Sequence, residues 1–347
     1  GVTVKEMGSH EHALHIFQKA IDLQADNANA HNNLGNVLKQ MGKLDRAYDS
    51  YSRAIKIKPS FEDALTNRWG LLFDRGDFDA ALRDIDRCSS QRAIARQLET
   101  LYALGRVDEV YKRIESLSKT DLKNIRVAAF SAFLASRQNR TPRYNFCNNP
   151  LSFVHHSNFD SHISDKSTFA SGLIEELRDR TNIWDPANHA THNGLRTPTH
   201  LNLFSAPVGR VAELEFMLRE ELKTYQQKFQ SENCLYMTDW PVEIALQGWC
   251  VKLKKQGYQS MHIHPAGWLS GVVYLKVVSS DVGNEGAIEF SVNGTRYTHN
   301  DSPRLLHQPR LGDIVLFPSS LHHRTIPFEE DTERFSIAFD LKPAPRA

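Results

Sequence analysis

The chain has 347 residues, of which 40% are hydrophobic and 24% are charged. That balance excludes an intrinsically disordered chain, and the length suffices for two domains with separate apolar cores. With 42 basic and 41 acidic residues the formal charge is +1, so we expect neither a nucleic acid nor an anionic membrane as a partner.

The first third of the chain carries an internal repeat. Glycines and alanines recur every 34 residues: Gly8, Gly42 and Gly76, and Ala13, Ala47 and Ala81. A fixed period of this length is typical of helical units stacked in a solenoid, where each unit buries its apolar stripe against its neighbours. The complete unit reads NAHNNLGNVLKQMGKLDRAYDSYSRAIKIKPS.

This unit resembles the tetratricopeptide-repeat family. The matching positions are Leu34, Gly35, Leu38, Ala47, Tyr51, Ala54 and Pro59. The resemblance implies antiparallel helix pairs. The first unit lacks most of its first helix, so we expect the array to begin before this chain does. After Pro59 the pattern becomes degenerate, and a last helix is predicted near residues 122–136.

Two asparagines mark a candidate peptide groove in the repeats. Asn33 and Asn67 stand 34 residues apart, on the helix that lines the groove of tetratricopeptide arrays. The resemblance implies that their amides hold an extended peptide backbone, similar to the asparagine ladder of the O-GlcNAc transferase solenoid. The alternative is that both are exposed residues on a polar helix face.

The helical period ends in the segment SRQNRTPRYNFCNNP, residues 136–150, which is rich in Arg, Asn and Pro. We therefore predict a helical domain over residues 1–140 and a second domain over residues 141–347. The second domain contains one long amphipathic helix, VAELEFMLREELKTYQQKFQ, and several short β-type runs bounded by Gly, Pro or Asn. Such runs predict a sandwich or barrel, and the fold class is α+β with two domains.

Three short segments of the second domain carry the candidate chemistry: HIHP at 262–265, FPSSLHHRTIP at 317–327 and ERFSIAFDL at 333–341. Side chains two apart on a strand point the same way, so His262 and His264 are expected to face one side together. The last segment alternates, which places Arg334 and Ser336 on one face. A guanidinium and a hydroxyl suit a bound carboxylate.

The order of these segments resembles the Fe(II)- and 2-oxoglutarate-dependent oxygenases, well over residues 247–341 and poorly over 144–241. More narrowly, it is similar to a bacterial and phage branch that reads H-x-H, S-G-x-x-Y-L, L-F-P-S, H and E-R-x-S. The resemblance implies a double-stranded β-helix, or jelly roll, with flanking helices. It also implies Fe(II), 2-oxoglutarate as cosubstrate, and O2.

The site residues that the resemblance implies are a metal-binding group and a cosubstrate-binding group. His262, His264 and His323 form the first group. Arg334 and Ser336 hold the distal carboxylate of 2-oxoglutarate, and Tyr274 adds a phenol hydrogen bond to it.

Two points in this ligand set stay open. The usual pattern has Asp or Glu where this chain has His264, because two histidines and one carboxylate are the common set for such iron. One alternative is that His264 binds the metal, which would change the properties of the iron or the preference for a particular metal. The other is that a carboxylate elsewhere, such as that of Glu289, completes the ligand set. Of the adjacent pair His322 and His323, we choose His323, which lies eleven residues before Arg334, and expect His322 at the surface.

The combination of tetratricopeptide-like repeats with an oxygenase-like domain predicts a hydroxylase whose protein or peptide substrate is recruited by the repeats. Two alternatives belong to other classes. One is a jelly roll that binds metal without catalysis, and the other is a scaffold that acts through protein–protein contacts of the repeats.

The cysteines bear on the cellular compartment. Cys88, Cys147, Cys234 and Cys250 show neither C-x-x-C spacing nor a disulfide framework, so we expect the reducing cytoplasm. There is no run of about 18 apolar residues that could span a membrane. The segment GVTVKEMGSH lacks the pattern of a signal peptide.

Overall fold

The computed structural model describes residues 4–137, 141–180, 190–198, 200–278 and 283–344. It divides the chain into two compact units, Gly1–Arg113 and Ile114–Ala347. The division falls within the seventh helix, α7 (Val107–Thr120).

The first unit is built of helices joined by short turns. They are α1 (Val4–Leu23), α2 (Ala28–Gln40), α3 (Leu44–Ile57), α4 (Glu62–Asp74), α5 (Phe78–Ile85), α6 (Gln91–Ala103) and the start of α7. The side chains of Asn27, Asp77 and Ser90 cap α2, α5 and α6 by accepting backbone N–H groups. Gly42 and Gly76 follow α2 and α4 with φ of 73° and 80°, which only glycine adopts at little cost.

The core of this unit has the composition that the repeat predicts. Leu34, Leu38, Ala47, Tyr51 and Leu71 form one apolar cluster. The Tyr51 hydroxyl donates a hydrogen bond of 2.9 Å to Asn36 Oδ1, which satisfies the one polar atom of an otherwise fully buried ring. The predicted solenoid is therefore confirmed.

Close packing at Gly35 gives a testable stability difference. A Cβ there would stand 2.5 Å from Tyr51 Cε1, whereas a Cβ at Gly70 would meet only Lys39 Nζ at 3.8 Å. We expect Gly35→Ala to destabilise the unit by about 1–3 kcal/mol through overpacking. Gly70→Ala is the matched control and should stabilise it by up to about 1 kcal/mol through helix propensity. Thermal unfolding measures both, and equal shifts would contradict the packing.

The second unit contains the remaining helices: α8 (Ile125–Arg137), α9 (Lys166–Arg180), α10 (Gly209–Phe229) and α11 (Leu235–Thr238). Helix α8 corresponds to the last helix predicted for the first domain. Its Phe130 and Phe133 rings pack against Tyr297, with centroids 4.8 and 4.9 Å away. The chain thus divides earlier than the junction predicted after residue 140, because α8 buries its apolar surface within the second unit. Residues 138–140 lie outside the described residues.

Nine described strands of the second unit form two antiparallel sheets: β1 (His155–Asn158), β2 (Thr191–Arg196), β3 (Ile244–Gln259), β4 (Leu269–Lys276), β5 (Ile288–Ser291), β6 (Arg304–His307), β7 (Asp313–Pro318), β8 (His322–Thr325) and β9 (Arg334–Pro343). The larger sheet has the order β1-β7-β4-β9-β3-β2, and the smaller has the order β6-β5-β8. Side chains of both sheets share one apolar core, including Trp249, Phe290 and Phe317. The α+β fold class is confirmed.

Two further facts concern the chain as a whole. All four cysteines are buried free thiols. Across the described ranges, no helix combines the length and the apolar character needed to cross a membrane.

Candidate metal centre

The H-x-H segment lies just after β3, in the turn that leads to β4. It was predicted as a strand, but only one isolated β-bridge, between His262 and His323, joins it to a strand. The His262 N–H donates to the His323 carbonyl at 3.0 Å and the His323 N–H donates back at 3.0 Å, while the His264 N–H donates to the Ser319 carbonyl at 3.1 Å. The two imidazoles still point the same way, with 3.3 Å between their Nε2 atoms.

Strand β8 brings a third imidazole to this pair. The His323 ring centroid lies 4.3 Å from that of His262 and 5.0 Å from that of His264. One potential ligand nitrogen from each ring lies within 4.8 Å of the other two. The structure therefore brings together all three histidines that the sequence proposed as ligands.

Each of these imidazoles is oriented by a hydrogen bond on its other nitrogen. Nδ1 of His262 contacts the Ser260 carbonyl at 2.7 Å, and Nδ1 of His323 contacts the Leu321 carbonyl at 3.2 Å. A carbonyl only accepts, so Nδ1 carries the proton in both rings. The Nε2 lone pairs are then free to bind a metal ion, which is the usual tautomer arrangement of metal-binding histidines.

Burial keeps His262 and His323 uncharged near neutral pH. It lowers the pKa of His262 to about 3, with the neighbouring His264 adding to the effect. It also lowers the pKa of His323 well below the usual value, with His262 and His264 contributing. Neutral imidazoles are the form that binds metal, so no proton needs to be displaced from these two rings at pH 7.

Asp340 on β9 supplies a negative charge beside the cluster. Its Oδ1 lies 2.6 Å from His264 Nδ1 and accepts a second hydrogen bond of 2.8 Å from the Ser270 hydroxyl. The third histidine thus brings a carboxylate with it, which would be separated from a bound metal by the imidazole ring of His264. It would partly neutralise the positive charge that a third neutral ligand leaves on the metal.

Asp340 was missed as a site residue, although a signal was present. The alternation of β9 places it on the same face as Arg334 and Ser336. Which turn that face meets depends on the pairing of β9 with β4, where Asp340 stands opposite Ser270. Nothing local to either segment specifies this register.

Replacing Asp340 should test its role. We expect Asp340→Asn to lower Fe(II) affinity by about 10- to 100-fold, because the negative charge is lost and an amide can present N–H to His264 Nδ1. Ser270→Ala, which removes one hydrogen bond to the same carboxylate, should have a smaller effect. Anaerobic Fe(II) titration against a chelator measures both, and an unchanged affinity in Asp340→Asn would contradict the assignment.

The donor set fits a first-row transition metal. Three imidazole nitrogens suit iron, zinc, copper or nickel, and they are poor ligands for magnesium or calcium. A cavity of about 460 Å³ lies beside His262 and His264 and is also lined by Arg196, Gln247 and Trp249. The cluster therefore has space next to it for further ligands.

A second group of predicted residues lies on the interior face of β9 and β4. The Arg334 guanidinium stands over the Tyr274 ring, with Cζ 4.8 Å from the centroid, and Ser336 pairs with Tyr274 across the strands. Arg334 is 2% exposed and Tyr274 is fully buried. Within the described residues, Arg334 Nε and Tyr274 Oη have no hydrogen-bond partner.

The electrostatics of this group suit a carboxylate. Burial lowers the pKa of Arg334. Tyr274 partly opposes this shift, and within the described residues no acidic residue contributes to it. Burial raises the pKa of Tyr274 to about 12, so its hydroxyl stays protonated and can donate. A buried guanidinium and phenol with unused donors fit an anion with planar oxygens.

Two residues considered from the sequence lie elsewhere. Glu289 on β5 accepts a hydrogen bond of 2.9 Å from Arg324, on the strand face opposite to His323. It does not complete the cluster. The expectation of a surface position for His322 is wrong, since it is 7% exposed and its ring packs against Tyr297 at 5.7 Å.

In the first unit, the predicted asparagines do not contact each other. Asn67 instead donates a hydrogen bond of 2.9 Å to the buried Asn32 Oδ1. Asn33 and Asn67 are both partly exposed. The bond to Asn32 orients the Asn67 amide and leaves its carbonyl oxygen as an acceptor.

Comparisons with known proteins match the two units separately. A family model described as "Putative 2OG-Fe(II) oxygenase" matches residues 247–340. Models described as "Tetratricopeptide repeat" and "TPR repeat" match residues 28–61 and 4–42. No curated protein matches the chain.

Similar solved structures cover one part of the chain each. A Pseudomonas putida prolyl-4-hydroxylase is 12% identical with a TM-score of 0.39, over 55% of this chain and 93% of its own. YrrB, a TPR protein with an unusual peptide-binding site, is 17% identical with a TM-score of 0.30, over 34% and 64% of the chains. MamA is 14% identical with a TM-score of 0.32, over 38% and 81%.

Proposed function

Because the chain joins tetratricopeptide repeats to a 2OG-Fe(II) oxygenase domain, we propose that it is an Fe(II)- and 2-oxoglutarate-dependent dioxygenase that hydroxylates a protein or peptide. The observation that carries this proposal is the convergence of three imidazole nitrogens within 4.8 Å. The buried Arg334 and Tyr274 support it, because they offer donors to a second, anionic ligand.

In the proposed mechanism the side chains of the site bind the metal ion and the cosubstrate and orient them. His262, His264 and His323 would hold Fe(II), and Asp340 would keep the His264 Nδ1 proton in place. Arg334 would bind the distal carboxylate of 2-oxoglutarate. When bound, Fe(II) with 2-oxoglutarate and O2 supplies the oxidative decarboxylation that transfers one oxygen atom to a C–H bond.

Aromatic rings beside the histidine cluster would limit the access of water to it. Phe317 packs against His323 with centroids 4.7 Å apart, and Phe290 packs against Phe317 at 4.9 Å. The Trp249 ring centroid lies 5.4 Å from that of His264. A dry pocket strengthens the electrostatic interactions within it and protects reactive species from side reactions.

The test is anaerobic titration of 2-oxoglutarate into the Fe(II)-loaded protein, monitored by its visible metal-to-ligand charge-transfer band. We expect the band in the parent and its loss in Arg334→Ala, which retains the metal ligands. Iron bound without a band at saturating 2-oxoglutarate would contradict the proposal.

One observation favours a second candidate function. Histidine replaces the usual carboxylate at position 264, so the domain could be a metal-binding jelly roll without catalysis, with the repeats acting as a protein-binding scaffold. This candidate predicts metal binding with no affinity for 2-oxoglutarate. The same titration therefore distinguishes the two.

We further propose that the repeats present the substrate to the oxygenase domain. The partly exposed amides of Asn33 and Asn67 would hold its backbone. A synthetic peptide library, scored by mass for the gain of one oxygen atom, tests this in the full chain. Asn33→Ala/Asn67→Ala should reduce peptide hydroxylation and leave peptide-independent 2-oxoglutarate turnover unchanged. Equal hydroxylation by both proteins would contradict a groove role.

We place this activity in the cytoplasm. The support is the set of four free thiols, because secreted domains usually pair their cysteines. Fractionation of the native host cell with an antibody to the full chain would test the location.

A further inference from the structure

One face of β9 lines the cavity beside the histidine cluster. Strand β9 pairs with β3 without a register shift, so its side chains alternate, and Arg334, Ser336, Asp340 and Lys342 lie on the same face. Asp340 and Lys342 both line the cavity of about 460 Å³. This face therefore carries, in chain order, the cosubstrate-binding group, the carboxylate that orients His264, and an ammonium group.

The ammonium of Lys342 has no acidic partner among the described residues. Its Nζ donates a hydrogen bond to Oε1 of Gln247, a neutral amide on β3. An ammonium group has three N–H donors, so the bond to Gln247 leaves donors for another acceptor. Lys342 is also partly exposed. A ligand that enters from solvent can therefore reach this cation.

Positive charge exceeds negative charge among the described residues that line the cavity. Arg196 and Lys342 are cationic, and Asp340 is the one acidic residue of this lining. Oδ1 of Asp340 is already within hydrogen-bonding distance of His264 Nδ1, at 2.6 Å, and of the Ser270 hydroxyl, at 2.8 Å. A bound metal ion would add further positive charge. The lining therefore favours a ligand that carries a carboxylate.

The cavity is open on one side and buried on the other. Pro265 and Ala266 line it and are exposed, whereas Trp249 is buried and packs beside His264. Its volume lies within the range of small-ligand sites, roughly 300–1,000 Å³. A side chain of a bound peptide can thus enter past the exposed residues and lie between the histidine cluster and Lys342.

We propose that Lys342 determines the substrate class of this site by binding a carboxylate, so that the peptide substrate carries an aspartate or glutamate side chain at or beside the hydroxylated residue. This inference rests on the proposed oxygenase function. An ammonium and a carboxylate form a charge-assisted hydrogen bond, which is roughly twice as strong as a bond between neutral groups. Arg196 adds to the attraction, because it lines the same cavity.

The test compares two fluorescent peptide libraries in the full chain, loaded with Fe(II) and 2-oxoglutarate in the absence of oxygen. Both libraries are acetylated and amidated, and they differ at one fixed position, which is Glu in the first and Gln in the second. We expect the Glu library to bind at least about tenfold tighter, measured by fluorescence anisotropy. High salt should reduce this preference, because the contact is partly exposed. Equal affinities for the two libraries would overturn the proposal.

Substitutions assign the preference to Lys342. We expect Lys342→Gln to bind both libraries equally, and Lys342→Arg to retain the preference for Glu because the charge is kept. Lys254→Gln is the matched control, since it removes the same charge from an exposed residue of β3 that does not line the cavity. If Lys342→Gln still prefers Glu as strongly as the parent, the acidic peptide binds elsewhere and the proposal is wrong.

A third library identifies the source of the carboxylate. It has Gln at the fixed position and a free C-terminus. Binding of this library as tight as that of the Glu library, lost in Lys342→Gln, would assign Lys342 to the peptide C-terminus and contradict a side-chain carboxylate. We expect it to bind no tighter than the amidated Gln library.

The charge-transfer band of 2-oxoglutarate is recorded in the same samples. A Kd for 2-oxoglutarate at least about tenfold higher in Lys342→Gln would mean that Lys342 binds the cosubstrate, which contradicts this inference and leaves the oxygenase function intact. If the parent shows no band but prefers the Glu library through Lys342, the oxygenase function fails and Lys342 remains the carboxylate-binding residue. The two proposals thus fail separately.

Discussion

Replacing Arg334 by methionine is expected to raise the Kd for 2-oxoglutarate by at least about a hundredfold and, in the absence of ligand, to raise the melting temperature. The two effects have opposite signs and a single cause. The guanidinium is buried, and Nε has no partner within the described residues. Breaking a buried charge pair costs about 3–5 kcal/mol, which at 1.4 kcal/mol per tenfold exceeds about two orders of magnitude in Kd.

The gain in stability of Arg334→Met is expected in the protein without bound 2-oxoglutarate. A buried cation without an acid beside it destabilises the fold, and methionine fills a similar volume without charge. We expect a gain of at least about 1 kcal/mol in the free energy of unfolding. Added 2-oxoglutarate should raise the melting temperature of the parent and not that of the variant, because only the parent is expected to bind it.

Arg324→Met is the matched control for Arg334→Met. Arg324 is an arginine of the same domain whose side chain is 44% exposed and pairs with the buried Glu289. Glu289 also lies 3.8 Å from Arg304, so its carboxylate keeps a cationic partner when Arg324 is replaced. The Kd of Arg324→Met for 2-oxoglutarate and its melting temperature should stay close to those of the parent. Anaerobic titration and thermal unfolding with and without 2-oxoglutarate measure all of these quantities. An unchanged Kd in Arg334→Met would mean that the distal carboxylate binds elsewhere.

His323→Ala is expected to lower Fe(II) affinity by at least about a hundredfold, because even changes to residues that only orient ligands cost 10- to 100-fold. His322→Ala is the neighbouring control. Its ring lies on the other side of β8 against Tyr297, so Fe(II) affinity should be unchanged even if stability falls through the cavity left.

Fe(II) binding and thermal unfolding must be measured together for this pair. Loss of iron in His323→Ala with a preserved far-UV spectrum supports direct ligation. Loss of iron in a folded His322→Ala, with His323→Ala still loaded, would reverse the assignment of the two histidines.

Local sequence signals determined much of the first unit. The 34-residue period, the capping residues and the glycines after α2 and α4 act over one helical turn or one repeat. Helix pairs in a solenoid contact only their neighbours, so a local pattern is enough to specify them. The predicted junction near residue 140 rests on the same local pattern, because α8 has a helical pattern like the others, whereas its contacts with Tyr297 lie within the second unit.

The candidate ligands could also be named from the sequence, because the order of the three short segments resembles that of the 2-oxoglutarate-dependent oxygenases and implies the ligand positions. The sequence could not show that Asp340 meets His264, that Glu289 faces away, or that His322 is buried. These facts depend on the register of β9 against β4 and on the pairing of β5 with β8, which join residues far apart in the chain. Only the tertiary structure decides such pairings, because a shift by one residue turns every side chain of a strand to the opposite face.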